Sequence, residues 1–159
     1  MSSYAPSLQN FNWYNWTPNM IAFTANHNET VLSASYWQQK VFATYHGTQT
    51  LPVTNSEGDF NPLFWAASID ETMNVAYLKV INTGSSSVPL TVNIDVAYTA
   101  VNGTVMTDPD VNVYNTRQQQ HAIEPEAAEI EDCGAKRANE TFAWNVPGYS
   151  VAVLEFHLA

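Results

Sequence analysis

A chain of 159 residues with 45% hydrophobic and 13% aromatic residues can build one sizeable core, which excludes a disordered chain. Only 13% of residues are charged, and five Lys/Arg against 15 Asp/Glu leave a net charge of −10, so the cations needed to hold nucleic acid or an anionic membrane surface are missing. No run approaches the ~18 apolar residues of a transmembrane helix, and Met1–Pro6 has neither a basic start nor an apolar stretch, so no signal peptide is expected in this chain.

In chain order, the first 27 residues are rich in aromatics (Tyr4, Phe11, Trp13, Tyr14, Trp16, Phe23) but alternate poorly and are interrupted by Pro6 and Pro18. A short strand is expected near Ser3–Leu8, followed by irregular backbone. Thr30–Tyr45 reads as a helix. Ser33 or Ser35 can cap its N-terminus, Tyr36/Lys40 and Trp37/Val41 form i,i+4 pairs, and Gly47 suits the position after its end. Beyond it the period changes to two. Phe64–Ile69, Val75–Asn82, Gly103–Met106 and Ser150–Leu158 read as strands, with turns at Gly84–Ser87 and Val146–Gly148. The clearest pattern is Val88, Leu90, Val92, Ile94, Val96 and Tyr98, six apolar residues in strict alternation. Asp108–Ala138 is polar and reads as a long connection. The fold class expected is all-β: an antiparallel, jelly-roll-like β-sandwich preceded by a short strand and one α-helix.

Candidate chemistry is sparse. Cys133 is the only cysteine, so no disulfide forms within the chain, and no local basic motif marks it as an activated nucleophile. Sequons stand at Asn15, Asn28, Asn102 and Asn139; random placement of 16 Asn and 26 Ser/Thr would give about 2.6, so four point only faintly to a secreted glycoprotein. Sugar-bond hydrolysis requires two carboxylates about 5–10 Å apart. The acidic candidates are Glu57/Asp59, Asp70/Glu71 and the run Glu124, Glu126, Glu129, Glu131, Asp132, all in contexts typical of turns or solvated loops. Asp108-x-Asp110-x-Asn112 begins like a calcium loop, but Val113 stands where the sharp turn needs Gly and Gln119 where a bidentate acid is needed. His27, His46, His121 and His157 have no ligand spacing, so no metal site is expected, and no Gly-x-Ser-x-Gly elbow suggests a serine hydrolase. Of the five tryptophans, Trp65 and Trp144 lie in strand patterns and are expected in the core. Trp13 and Trp16, with Tyr14 between them, lie in irregular backbone and are the candidates for a surface contact with a sugar or another domain.

Several segments together resemble one family. Ser3-Tyr4-Ala5-Pro6, Trp16-Thr17-Pro18-Asn19-Met20-Ile21-Ala22-Phe23 and Ser35-Tyr36-Trp37-Gln38-Gln39-Lys40-Val41-Phe42 resemble the end of the catalytic barrel in fungal α-L-arabinofuranosidases of glycoside hydrolase family 51. Pro62-Leu63-Phe64-Trp65-Ala66-Ala67-Ser68, Tyr77-Leu78-Lys79-Val80-Ile81-Asn82, Asn115-Thr116 before Glu124-Pro125, and Trp144 through Leu154 are similar to that family's C-terminal β-sandwich, in the same order. The resemblance implies a parent enzyme that releases terminal α-L-arabinofuranosyl groups from arabinoxylan or arabinan with retention, using an acid/base Glu and a nucleophilic Glu on a (β/α)8 barrel. Both lie on earlier barrel strands with no counterpart here, so no catalytic residue, metal or cofactor is assigned and no catalysis is expected from this chain alone. Residues 1–47 would be the last barrel strand and helix, and 48–159 the sandwich. The implied partner is the barrel, the implied location extracellular. Detached from a barrel, residues 1–47 are expected to pack on the sandwich or to mediate self-association. The alternatives are a stand-alone carbohydrate-binding module, contacting polysaccharide through Trp13, Tyr14 or Trp16, and an interaction subunit for a separate barrel chain.

Overall fold

The computed structural model describes residues 3–13, 16–56 and 60–159. The N-terminal part holds three short strands, β1 (Leu8–Asn10), β2 (Ile21–Phe23) and β3 (Val31–Leu32), with β1 parallel and β3 antiparallel to β2. Single 3-10 turns occupy Phe11–Trp13 and His27–Glu29. The strand expected over Ser3–Leu8 starts only at Leu8. Pro6 has no N–H to give to a ladder, and its carbonyl and that of Ser7 instead accept from Met20 and Ile21 at 3.2 and 2.9 Å. Helix α1 runs over Ala34–Thr44, shorter at the start than the expected Thr30–Tyr45 because Val31 and Leu32 are taken up by β3. Ser33 is the N-cap: its hydroxyl accepts from the Tyr36 N–H at 3.3 Å. Gly47 is not the residue after the C-cap, which is Tyr45. It has another reason to be glycine: a Cβ there would lie 2.3 Å from the Ile69 backbone.

The rest is a two-layer antiparallel sandwich. Strands β4 (Gln49–Leu51), β5 (Leu63–Asp70), β6 (Val75–Asn82), β7 (Val88–Asn93), β8 (Tyr98–Thr107), β9 (Glu126–Ala127), β10 (Thr141–Val146) and β11 (Ser150–Leu158) divide into two sheets. One has six strands in the order β4-β5-β6-β11-β8-β9; the other is the β10–β7 pair. The alternating run from Val88 to Tyr98 thus spans β7 and the first residue of β8, one strand in each sheet. The chain leaves the small sheet after Asn93 and enters the large one at Tyr98.

Between the layers lies the main core, with Leu78, Val80, Tyr98, Val101, Phe142, Trp144, Ala152, Leu154 and Phe156 buried together. Phe156 meets Tyr98 and Phe142 edge-on, ring centres 5.3 Å apart in each case, the arrangement that the aromatic quadrupole favours. Trp144 is buried as expected and donates its indole N–H to the Glu129 carbonyl at 2.9 Å, while Trp65 packs on the core edge. The opposite face of the large sheet is also covered. There Val75, Tyr77, Met106 and Val153 pack on Val41 of α1. β6 and β11 are therefore buried on both sides, which explains their near-continuous apolar composition. The long polar segment after β8 contains β9 and a bridge between Tyr98 and Lys136.

Candidate functional site

Strand alternation places Phe64, Ile81, Val151 and Met106 in one row across β5, β6, β11 and β8 on the helix-bearing face. The next row is Ala66, Lys79, Val153 and Thr104, and the next Ser68, Tyr77, Glu155 and Asn102. Helix α1 spans only 11 residues, about 16 Å at 1.5 Å per residue, and covers part of this face. Beside it Phe64 is 42% exposed and Phe60 55% exposed. Their rings stack, with centres 5.7 Å apart and planes 7° apart, and Phe60 also lies 4.4 Å from the Trp65 ring. The result is an aromatic ledge continuing into Ile81 and Val151.

The charged groups on this face feel the burial. Lys79 donates to the Phe42 carbonyl at 2.8 Å and lies over the Phe42 ring, and desolvation pulls its pKa down. Burial raises the pKa of Glu155, opposed by the neighbouring His157. The same desolvation, helped by the Glu155 charge, raises Tyr77.

A cleft of about 380 Å³ opens between α1 and the connection after β8, lined by Trp37, Lys40, Val41, Thr44, Tyr45, Thr104, Glu124 and Pro125. The Lys40 ammonium lies 4.8 Å from the centre of the Trp37 ring, and the Thr104 hydroxyl donates to the Tyr45 oxygen at 3.3 Å. Among these lining residues Glu124 is the one carboxylate, and it is engaged with His121 Nδ1 at 2.8 Å. Hydrolysis of a glycosidic bond needs a second, opposed carboxyl group.

The other acidic candidates among the described residues serve the backbone or face solvent. Asp70 accepts from the N–H groups of Thr72 and Met73, closing the β5–β6 turn. Asp108 and Asp110 accept from the N–H groups two residues on, at 2.8 and 2.9 Å, so the calcium-like segment is a pair of side-chain-capped turns. Glu71, Glu126, Glu129 and Glu131 are exposed, and Asp132 pairs with Lys136. Glu57 and Asp59 lie outside the described residues. Among the described residues no three His, Cys, Asp or Glu side chains come together as a metal would require, and no helix is long and apolar enough to cross a membrane. Cys133 is an exposed free thiol.

Trp13 and Trp16 are 73% and 60% exposed, and Leu8 on β1 is 62% exposed. Tyr14 and Asn15 lie outside the described residues. Of the other sequons, Asn28, Asn102 and Asn139 are all exposed. The aromatic ledge has no sequence signature, because Phe60 lies before β5 and meets Phe64 only once the chain folds. Asn115 is the polar residue whose role the sequence conceals. It is buried, and its side chain bonds both the N–H and the carbonyl of Ile123 and the carbonyl of Leu32.

Comparison with known proteins gives a consistent result. The family model of the α-L-arabinofuranosidase C-terminal domain matches residues 1–150. A probable α-L-arabinofuranosidase A of Aspergillus niger is 35% identical over 154 residues, which is 97% of this chain and 23% of that protein. Its counterpart in Aspergillus flavus is 33% identical over 157 residues, 99% of this chain and again 23% of the relative. The chain thus spans about a quarter of the length of these relatives. Among solved structures, an arabinose-bound family 51 α-L-arabinofuranosidase superposes with a TM-score of 0.81 at 28% identity, covering 99% of this chain and 24% of that one. The family 51 arabinofuranosidase of Xanthomonas axonopodis pv. citri shares the fold, with a TM-score of 0.67 at 23% identity over 87% of this chain and 28% of its own. The chain belongs to the C-terminal domain family of the α-L-arabinofuranosidases of glycoside hydrolase family 51.

Proposed function

We propose that this chain is the non-catalytic brace of an extracellular α-L-arabinofuranosidase that removes terminal arabinofuranosyl groups from arabinoxylan or arabinan with retention. Residues 1–47 end the catalytic barrel, residues 48–159 form the sandwich, and the partner is the barrel itself. The observation that carries this reading is the Phe60–Phe64 ledge running into Ile81 and Val151. It is an apolar row, exposed at Phe60 and Phe64 and half-buried at Ile81 and Val151, in a chain whose relatives are about four times as long. Such faces mark interfaces. The test is an assay of the purified chain on a chromogenic α-L-arabinofuranoside, alone and co-expressed with the catalytic portion of the enzyme. Alone it gives no turnover, and co-expression yields a stable complex that Phe64→Ser weakens. Turnover by the isolated chain at the rate of an intact enzyme overturns the proposal.

The exposure of Trp13 and Trp16 supports a second reading, a direct polysaccharide contact. Affinity electrophoresis in arabinoxylan then shows retardation that Trp13→Ala and Trp16→Ala abolish; unretarded migration removes this reading. The same exposed segment is the surface for self-association through residues 1–47, which light scattering would register as a concentration-dependent mass.

A further inference from the structure

We propose that Asn139 carries an N-linked glycan and that Asn102, although it heads the same tripeptide pattern, does not. The inference rests on the extracellular reading above and adds to it a modification site. In the transfer reaction the Asn side-chain nitrogen bonds C1 of the reducing-end N-acetylglucosamine. The bond from C1 to the pyrophosphate of a polyisoprenyl donor breaks, and the amide nitrogen loses a proton. The folded chain must then leave that nitrogen free to carry a large polar group outward.

Asn139 meets this requirement. It lies just before β10 in a left-handed conformation, φ 63°, which Asn tolerates, and it is exposed. Its backbone is fixed by an N–H bond to the Ile94 carbonyl at 2.7 Å, while its side-chain amide makes no hydrogen bond among the described residues. The adjoining surface is the outer face of the β7–β10 pair, made of Pro89, Thr91, Asn93, Thr141, Ala143 and Asn145, all exposed. These residues are small or polar and carry no charge, and the Thr141 hydroxyl is already satisfied by Asn93 at 3.0 Å. Nothing there competes for the surface a glycan would cover. The exposed aromatic residues of the ledge lie elsewhere, Phe64 on β5 of the large sheet and Phe60 just before it.

Asn102 fails it. Its amide nitrogen lies 3.0 Å from His157 Nε2, in the row of Glu155 and Tyr77 on the helix-bearing face. The remaining tripeptide positions are also committed. A Cβ on Gly103 would come within 2.8 Å of Ala128, and Thr104 is bonded to Tyr45 at the back of the cleft. A glycan on Asn102 would break the His157 contact and lie against α1.

The test secretes the full chain from yeast behind a heterologous leader, so that it does not depend on the native route. The purified chain is treated with peptide N-glycosidase in heavy-oxygen water and its peptides are weighed. Conversion of Asn139 to labelled Asp is expected in most molecules, with Asn102 unlabelled. Asn139→Asp, which keeps a side chain suited to the left-handed backbone, and Thr141→Ala each remove one glycan step of gel mobility, and Asn102→Gln removes none. An unlabelled Asn139 in secreted, folded chain, or an Asn102 labelled to the same extent, overturns the proposal. Absence of the native protein from the culture medium would instead overturn the extracellular reading.

Discussion

The Asn115 carboxamide donates to the Leu32 carbonyl at 2.7 Å, joining residues 83 positions apart. Through its other bonds, both 2.8 Å, to Ile123 it closes the loop after β8 and fastens that loop to the strand that precedes α1. Asn115→Leu keeps the volume and strips three backbone groups of their partner. Unsatisfied buried groups cost ~1–3 kcal/mol each; these three bonds are only part-buried and sit at the low end, so a loss of about 3–4 kcal/mol in urea unfolding is expected. Arg117→Ala, which removes the more exposed ion pair to Glu29, should cost visibly less.

Lys79 plays the matching part at the other end of the helix. Phe42 contributes one of the last carbonyls of α1, which lack partners within the helix, and the Lys79 ammonium supplies one at 2.8 Å. A cation at this end also meets the negative pole of the helix dipole. Lys79→Met retains the apolar stem and loses the charge-assisted bond. The expected cost is about 1–2 kcal/mol. The readout is thermal unfolding, together with faster exchange of the α1 amides.

These anchors show why some of the architecture is legible in sequence and some is not. Val75–Asn82 and Ser150–Leu158 are observed with the bounds read from their patterns, because burial on both faces leaves a near-continuous apolar signature. The alternation from Val88 to Tyr98 does not reveal the change of sheet within it, for a specific reason. Leu90 and Val92 from one sheet, Ile94 just beyond it and Tyr98 from the other pack in the same core, while Val96 between the sheets is exposed, so most of the period survives the change of hydrogen-bonding partner. Trp13 and Trp16, read from the sequence as lying in irregular backbone, are both exposed, although Trp13 closes a single 3-10 turn. The Phe60–Phe64 ledge and the bonds of Asn115 depend on contacts made only in three dimensions. In the sequence Asn115-Thr116 is visible only as a piece of the family pattern, without its mechanical reason.

Asn82 is a further buried anchor, at the junction of the β6–β7 and β10–β11 turns. Its amide nitrogen donates to the carbonyls of Ser86, Val146 and Pro147 at 3.0, 3.3 and 2.9 Å, and its oxygen accepts from the Gly84 N–H at 2.9 Å. Asn82→Ala abandons all four and should cost about 2–4 kcal/mol. Gly148→Ala attacks the same junction sterically, since its Cβ would lie 2.3 Å from the Ser85 carbonyl oxygen. Both variants are expected to lower the urea midpoint without altering the far-ultraviolet circular dichroism of the native state.

Glu155 allows a test of electrostatics on the helix-bearing face. It stands between Tyr77 on β6 and Asn102 on β8, with His157 two residues along its own strand. Burial raises its pKa above the ordinary value and His157 only partly offsets this, so the native state holds a proton more tightly than the unfolded chain. Between the ordinary carboxylate pKa and the raised one, the native state therefore binds more protons, and stability falls as pH rises through that window. Above the window the full desolvation penalty is present, and below it there is none. Glu155→Gln removes the penalty while keeping the shape. The variant should unfold at a higher temperature than the parent at neutral pH, with the gap closing as pH drops below the ordinary carboxylate range. A variant less stable than the parent at neutral pH would show that attraction between Glu155 and His157 outweighs desolvation, and that this face stabilises charge instead of merely tolerating it.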